Sequence, residues 1–167
     1  LAVVGGPKQA IDVQGPPQEA INQLVNLYNQ GQLAAVIEQA TPLTEQYPEA
    51  FIVWNILGAA NKGLGRVQAA SDTLKKVTEL NPTYADGFNN LGVAYNKLGL
   101  LEEAVRSFED ALKINPDYPD PHNNLTVVFR KQGLFDNVLK SSKKAIELMI
   151  NVIASNPNDS ETYNNLG

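Results

Sequence analysis

Residues 85–118 read ADGFNNLGVAYNKLGLLEEAVRSFEDALKINPDY, and this stretch decides the fold. It contains two runs with apolar residues at helical spacing, separated by Gly99 and closed by Asn115-Pro116. Each run has one apolar stripe and one polar face, so neither run could bury its stripe alone. The stretch therefore predicts a pair of helices that packs against further copies of itself.

The copies recur along the chain at a fixed interval of 34 residues. A period of this length is typical of arrays of helical hairpins. Glycine at a tight turn between helices tolerates positive φ, and Asn-Pro ends a helix because the residue before proline disfavours the α region. The residues that mark the period are Gly31, Gly65, Gly99, Gly133, Pro48, Pro82 and Pro116.

A short motif opens the first helix of each copy. Residues 54–58 (WNILG) correspond to residues 88–92 (FNNLG), and variants of the motif begin at His122 and Tyr163. On these residues the chain resembles the tetratricopeptide repeat (TPR) proteins over residues 17–167. The resemblance implies an all-α, right-handed superhelical solenoid of helix-turn-helix hairpins.

The period also predicts how the chain is divided. Seven residues are inserted in the fourth repeat, because its Asn156-Pro157 comes seven residues late. Seven residues make about two helical turns, so the second helix can lengthen without turning its apolar stripe much. The predicted units are an extended linker over residues 1–16, repeats over 17–50, 51–84, 85–118 and 119–159, and a partial repeat over 160–167.

Two local features carry further expectations. Pro42 falls inside the second helix of the first repeat, where the loss of a backbone donor predicts a kink. Gly58 and Gly92 are predicted to lie where two helix backbones approach closely, so that a Cβ would crowd the neighbouring helix.

Composition excludes several classes of function. The net charge is −5 over 167 residues, which argues against a nucleic-acid partner. The chain has no cysteine, so disulfides and thiol chemistry are excluded, and no apolar run is long enough to span a membrane. From the first residue, Leu1, and the end within a repeat we expect a fragment of a longer protein, and we expect it in the cytoplasm.

The residues needed for catalysis are scarce. His122 is the only histidine, and it occupies the repeat position of Trp54 and Phe88, which predicts a packing role. No phosphate-binding glycine motif or metal-ligand cluster is found. The sequence therefore predicts no enzyme activity, cofactor or metal for this chain, while a catalytic domain beyond residue 167 stays compatible with it.

The expected binding surface is the concave face, which first helices line in stacked hairpins. By the resemblance, the sixth residue of each repeat points into it, and four of these five residues are asparagine: Asn22, Asn90, Asn124 and Asn165, with Ile56 as the exception. A carboxamide both donates and accepts hydrogen bonds. Such a row is expected to bind the main chain of an extended peptide.

Charged residues accompany this asparagine row. Asp86, Asp120 and Glu161 each stand second in their repeat, and Lys97 and Arg130 lie late on the same first helices. The asparagines and acids together resemble the TPR region of O-linked N-acetylglucosamine transferases. The acids also have a purely structural reading, as favourable charges at helix N-termini.

The sequence thus predicts a protein–protein interaction module that binds a peptide or partner protein in its groove. Two alternatives stay open. One is the substrate-recruiting arm of a larger glycosyltransferase or sulfotransferase, and the other is a homo-oligomeric scaffold. In the latter, the dimer contact would come from the lengthened helix, through Met149, Val152 and Ile153, or from the truncated end of the array.

Overall fold

The computed structural model describes residues 15–155, and all regular structure in that range is α-helical. The all-α solenoid expected from the sequence is confirmed. Most of the predicted linker and the whole partial fifth repeat, with Glu161 and Asn165, lie outside the described residues. The helices are α1 (Gln18–Asn29), α2 (Leu33–Gln46), α3 (Phe51–Gly63), α4 (Val67–Leu80), α5 (Ala85–Leu98), α6 (Leu101–Ile114), α7 (Pro119–Gln132) and α8 (Phe135–Ser155).

A glycine in the left-handed backbone region lies in the turn after the first helix of each of the four described pairs. The φ angles are +71°, +68°, +79° and +72° at Gly31, Gly65, Gly99 and Gly133. At the third of these turns the Leu100 amide donates to the Tyr95 carbonyl at 2.9 Å, which is the bond of a Schellman motif. The positive φ predicted for the periodic glycines is confirmed.

The helices stack in chain order, each packing against the next. First helices also contact each other across repeats, as α1 does with α3 and α5 with α7. These first helices form one layer of the solenoid, and α2, α4, α6 and α8 form the other. The buried core runs between the layers, and Phe108 and Val128 in it are fully buried.

Pro42 does not interrupt α2, which continues through it to Gln46. The Thr41 hydroxyl donates to the Ile37 carbonyl, and the Thr44 hydroxyl donates to the Thr41 carbonyl, both at 2.7 Å. The kink that the sequence predicts at this proline would fall within a single helix of 14 residues.

The expectation for Gly58 and Gly92 needs correction. At Gly92 a Cβ would lie 2.6 Å from Cε1 of Phe108, so a side chain and not a backbone fills the space. At Gly58 the nearest atom would be Cδ2 of Leu74 at 3.4 Å, an ordinary contact. The crowding is therefore specific to one repeat and depends on the residue opposite.

The residue at this position of the first helix and the residue that faces it on the second helix change together from repeat to repeat. Where one helix has a small residue, the other supplies a large one, and the fourth repeat has two residues of intermediate size. In the fourth repeat the two hydroxyl oxygens lie 3.3 Å apart and form a hydrogen bond. The pairs, in chain order, are Leu24 with Ala40, Gly58 with Leu74, Gly92 with Phe108, and Thr126 with Ser142.

The last helix is the longest. α8 has 21 residues, whereas α2, α4 and α6 each have 14. α8 is therefore seven residues longer than each of these helices.

Candidate interaction surface

The asparagines of the expected row differ in their surroundings. Asn90 on α5 and Asn124 on α7 are half-buried, and Asn22 on α1 is exposed. Asn22 accepts a hydrogen bond from Gln18 of its own helix at 3.0 Å. Ile56 on α3 is buried in the core between the first two repeats. Ile56 therefore separates Asn22 from the pair on α5 and α7.

Side chains of neighbouring repeats hold Asn90 and Asn124 in place. Lys62 Nζ donates to Asn90 Oδ1 at 2.8 Å, and Asn124 Nδ2 donates to Asn89 Oδ1 at 2.9 Å. Because an ammonium group has no acceptor, the bond from Lys62 fixes which end of the Asn90 amide faces it. Within residues 15–155, neither the Asn90 NH₂ group nor Asn124 Oδ1 has another side-chain partner.

A tyrosine at the end of the third repeat lies beside these amides. Asn89 Nδ2 donates to the Tyr118 hydroxyl at 3.5 Å. Burial, and then the neighbouring Asp86 carboxylate, raise the pKa of Tyr118 well above its ordinary value, and Asp120 acts in the same direction. The hydroxyl therefore keeps its proton and can donate. Asp86 and Asp120 are themselves exposed.

Sequence reasoning missed Asn89 and Tyr118. A signal for the tyrosine was present, since Tyr84 precedes Tyr118 by one period of 34 residues. Tyr84 packs against the first helix of its own repeat, edge-on against the Phe51 ring with centroids 5.2 Å apart. The recurrence of a tyrosine at the last position of the repeat marks a position that contacts the first helix of the same repeat.

Cations lie at the opposite ends of the same helices. Lys97 and Arg130 are exposed in the last turns of α5 and α7, and within the described range neither forms a salt bridge. Lys131 Nζ donates to Asn96 Oδ1 at 2.6 Å, which ties the fourth repeat to the third. Asp86 and Lys97 are separated by about 16 Å along α5, at 1.5 Å per residue. The surface therefore has one acidic and one basic edge.

His122 has the structural role expected of it. Trp54 Nε1 donates to the Pro48 carbonyl at 2.9 Å, and His122 Nε2 lies 3.4 Å from the equivalent Pro116 carbonyl. Burial lowers the pKa of His122, which favours the neutral ring. The imidazole thus takes the place of an indole in the fourth repeat.

Neither a metal site nor a membrane span is found in the part of the chain that the structure describes. No three histidine or acidic side chains there are grouped to hold a metal ion. No helix there combines the length and the apolar character needed to cross a membrane.

Comparison with known families agrees with the hairpin geometry. A tetratricopeptide repeat model matches residues 85–118, and a second TPR repeat model matches residues 58–99. Residues 58–118 therefore match models of the tetratricopeptide repeat. Stacked repeats of this kind form extended concave surfaces that are used for binding.

Solved structures of MamA share the architecture. MamA AMB-1 is 27% identical, with a TM-score of 0.73 over 85% of this chain and 75% of that one. Another MamA crystal structure is 24% identical, with a TM-score of 0.79 over 87% and 83%. MamA from Desulfovibrio magneticus RS-1 is 19% identical, with a TM-score of 0.75 over 81% and 76%. No curated protein sequence matches the chain significantly.

The expected oligomer contact is only partly described. Met149 is half-buried, and the side chains of Val152 and Ile153 lie outside the described residues. Among the described side chains of α8, the large apolar ones that are exposed are Phe135, Leu139, Ile146 and Ile150. Sequence reasoning missed this stripe, although its spacing of four, seven and four residues is helical.

Proposed function

We propose that the TPR array binds an extended segment of a partner protein across α5 and α7. The observation that carries the proposal is the complementary state of two amides in neighbouring repeats. Asn90 has its oxygen occupied by Lys62 and presents its N–H donors, whereas Asn124 has used an N–H on Asn89 and presents its oxygen. One repeat thus offers donors and the next offers an acceptor.

An extended peptide has the matching groups on its main chain. Each residue other than proline carries one N–H donor and one carbonyl acceptor. Asn90 would donate to a peptide carbonyl, and Asn124 would accept from a peptide N–H farther along. Because both bonds are made to the main chain, the site tolerates many side chains.

The two charged edges would then select side chains. Asp86 and Asp120 favour cationic or hydroxyl-bearing residues at one edge, and Lys97 and Arg130 favour carboxylates at the other. All four are exposed, so they contribute more to orientation and association rate than to affinity. Of the other groove residues expected from the sequence, Asn22 lies beyond the buried Ile56. Asn165 and Glu161 fall outside the described range.

The test is to select peptides by display against the 167-residue chain and measure their affinity for variants. Asn90→Ala combined with Asn124→Ala should weaken binding roughly tenfold, because each hydrogen bond contributes about 0.5–1.5 kcal/mol. The matched control is Asn137→Ala, an exposed asparagine on the second-layer helix α8. Affinities are measured well below the melting temperature, because Asn124→Ala also leaves the buried Asn89 oxygen without its donor. Equal affinity of the double variant and the control would disprove the proposal.

If the chain is a substrate-recruiting arm, the same surface would bind the substrate peptide. Binding through the peptide main chain suits a module that presents many sequences to one catalytic domain. Sequencing the gene past residue 167 decides between the two roles. An open frame that enters a transferase domain supports the arm, and one that ends after another hairpin supports an adaptor.

A further inference from the structure

A groove between the second-layer helices α6 and α8 combines an apolar floor with a cationic rim. It encloses about 440 Å³, and residues of α7 lie at its bottom. Volumes of about 300–1,000 Å³ are typical of small-molecule sites. Leu112, Leu125 and Phe129 supply the apolar surface, and His122 lies beside them.

The aromatic side chains of this floor are smaller than those of the preceding repeat. His122 stands where that repeat has Phe88, and Phe129 stands where it has Tyr95. Each replacement leaves more space above α7. The groove therefore owes its floor to the side chains of the fourth repeat.

The wall that α8 forms is cationic, although the chain has a net charge of −5. The lysines that line it are Lys140, Lys143 and Lys144. The residues 34 positions earlier, on α6, are Arg106, Glu109 and Asp110. Of α2, α4, α6 and α8, only α8 has a cation at all three of these repeat positions. This wall is thus suited to an anion.

The charges that line the groove leave one cation in surplus. Lys144 Nζ lies 3.4 Å from Glu147 Oε1, and Glu109 is the acid on the α6 wall. Lys140 and Lys143 are exposed, and neither forms a salt bridge within residues 15–155. Three lysines against two glutamates leave one positive charge, which a single carboxylate would balance.

We propose that this groove binds a lipophilic monocarboxylate, a small molecule with one carboxylate on an apolar body. Lys140 and Lys143 are three residues apart on α8, so their side chains are neighbours on one face of the helix. The carboxylate would accept hydrogen bonds from both ammonium groups, which have donors and no acceptor. The apolar body would lie on Leu125 and Phe129, where it leaves water.

The site is separate from the asparagine surface, because its walls are second-layer helices. A molecule bound there would contact α6, α7 and α8 at once, and so would hold the third and fourth repeats together. Because it would bind the folded array and not the unfolded chain, it should raise the melting temperature. The proposal does not rest on peptide binding by Asn90 and Asn124.

The probe is octanoate, titrated into the 167-residue chain by NMR, with 1-octanol as the uncharged comparison. Octanoate should bind at least tenfold more tightly than 1-octanol. Lys140→Gln combined with Lys143→Gln should weaken octanoate binding about tenfold and leave 1-octanol binding unchanged, because only the carboxylate needs the ammonium groups. The matched control is Lys75→Gln with Lys113→Gln, which removes the same charge from exposed positions outside the groove. It should bind octanoate as the native chain does.

Equal affinities for octanoate and 1-octanol, or an equal loss in the two lysine pairs, would overturn the proposal. The exposed apolar side chains of α8 offer a competing position for the alkyl chain, and two further variants separate the positions. His122→Phe narrows the groove, whereas Ile146→Ser removes an exposed apolar side chain outside it. Weaker binding of both probes to His122→Phe, with native binding to Ile146→Ser, supports the groove. A loss in Ile146→Ser, or none in His122→Phe, would overturn it.

Discussion

The ring of Phe108 fills the space that a side chain on Gly92 would need. A Cβ at position 92 would lie 2.6–2.9 Å from three atoms of this fully buried ring. At the equivalent Gly58, Leu74 leaves 3.4 Å. The same repeat position therefore requires glycine in one repeat and tolerates a methyl group in another.

Gly92→Ala should destabilise the fold, whereas Gly58→Ala should stabilise it. Alanine in a helix interior is favoured over glycine by about 1 kcal/mol. At Gly58 the higher helix propensity of alanine should raise the free energy of unfolding. At Gly92 overpacking against Phe108 costs about 1–3 kcal/mol and outweighs that gain. Urea unfolding of the two variants measures both signs. Stabilisation of both variants would show that the Phe108 ring moves freely, contrary to its packing.

The Thr126–Ser142 pair should be exchangeable only as a pair. Ser142→Phe alone would push a ring into the Thr126 side chain, whereas Ser142→Phe with Thr126→Gly recreates the arrangement of the third repeat. Burying the phenyl ring contributes about 1.5–3 kcal/mol. A double-mutant cycle on the free energy of unfolding should give favourable coupling of about 0.5–3 kcal/mol. Additive effects would mean that the two positions do not share space.

Stability should fall as the pH drops through the range of histidine titration. Burial lowers the pKa of folded His122, and Lys144 adds to this, while the Pro116 carbonyl and Asp117 oppose it. Histidine in the unfolded chain titrates near pH 6.5, so as the pH falls it takes up a proton before the folded His122 does. This protonation lowers the free energy of the unfolded state relative to that of the folded state. The contribution of His122 to the free energy of unfolding is fully present above about pH 6.5. It is lost as the pH falls toward the lowered pKa of the folded state.

Urea unfolding at pH 7.5 and pH 5.0 measures this loss. His122→Phe, which restores the residue type of Phe88, should remove it, because His122 is the only histidine in the chain. An equal pH dependence in the variant would assign the effect to carboxylates.

Lys62 should affect peptide binding although it lies in the repeat before Asn90. Lys62→Met keeps a long unbranched side chain but removes the ammonium group. The Asn90 amide can then rotate, so its N–H donors are no longer held away from position 62. Affinity should fall about two- to tenfold, the range of a single hydrogen bond. Lys113→Met, which removes only the pair with Asp110, is the control. A loss of equal size in both variants would indicate a general charge effect.

The sequence predicts the helices well because the 34-residue period repeats the same local signals. The glycine turn and the Asn-Pro that ends the second helix each determine the backbone of residues close to them in sequence. Residues 85–118 contain both signals. The role of His122 is predicted for the same reason, since Trp54 and Phe88 occupy its position.

The contacts between repeats could not be predicted in this way. Lys62 and Asn90 are 28 residues apart, and Asn89 and Asn124 are 35 apart, so no local pattern joins them. Which of Asn90 and Asn124 presents donors and which presents an acceptor depends on those contacts. The crowding at Gly92 likewise depends on the residue opposite, and not on glycine itself.

The claim that Asn124 binds the peptide main chain is tested most directly by a thermodynamic cycle. The cycle combines Asn124→Ala with a change in the main chain of the peptide. A selected peptide is compared with versions N-methylated at one amide each, and titration calorimetry gives the affinity of each for the native chain and for the variant. At one amide position, methylation should weaken binding to the native chain by about 0.5–1.5 kcal/mol and have little further effect on Asn124→Ala. Losses that add at every amide position would show that Asn124 does not bind the peptide main chain.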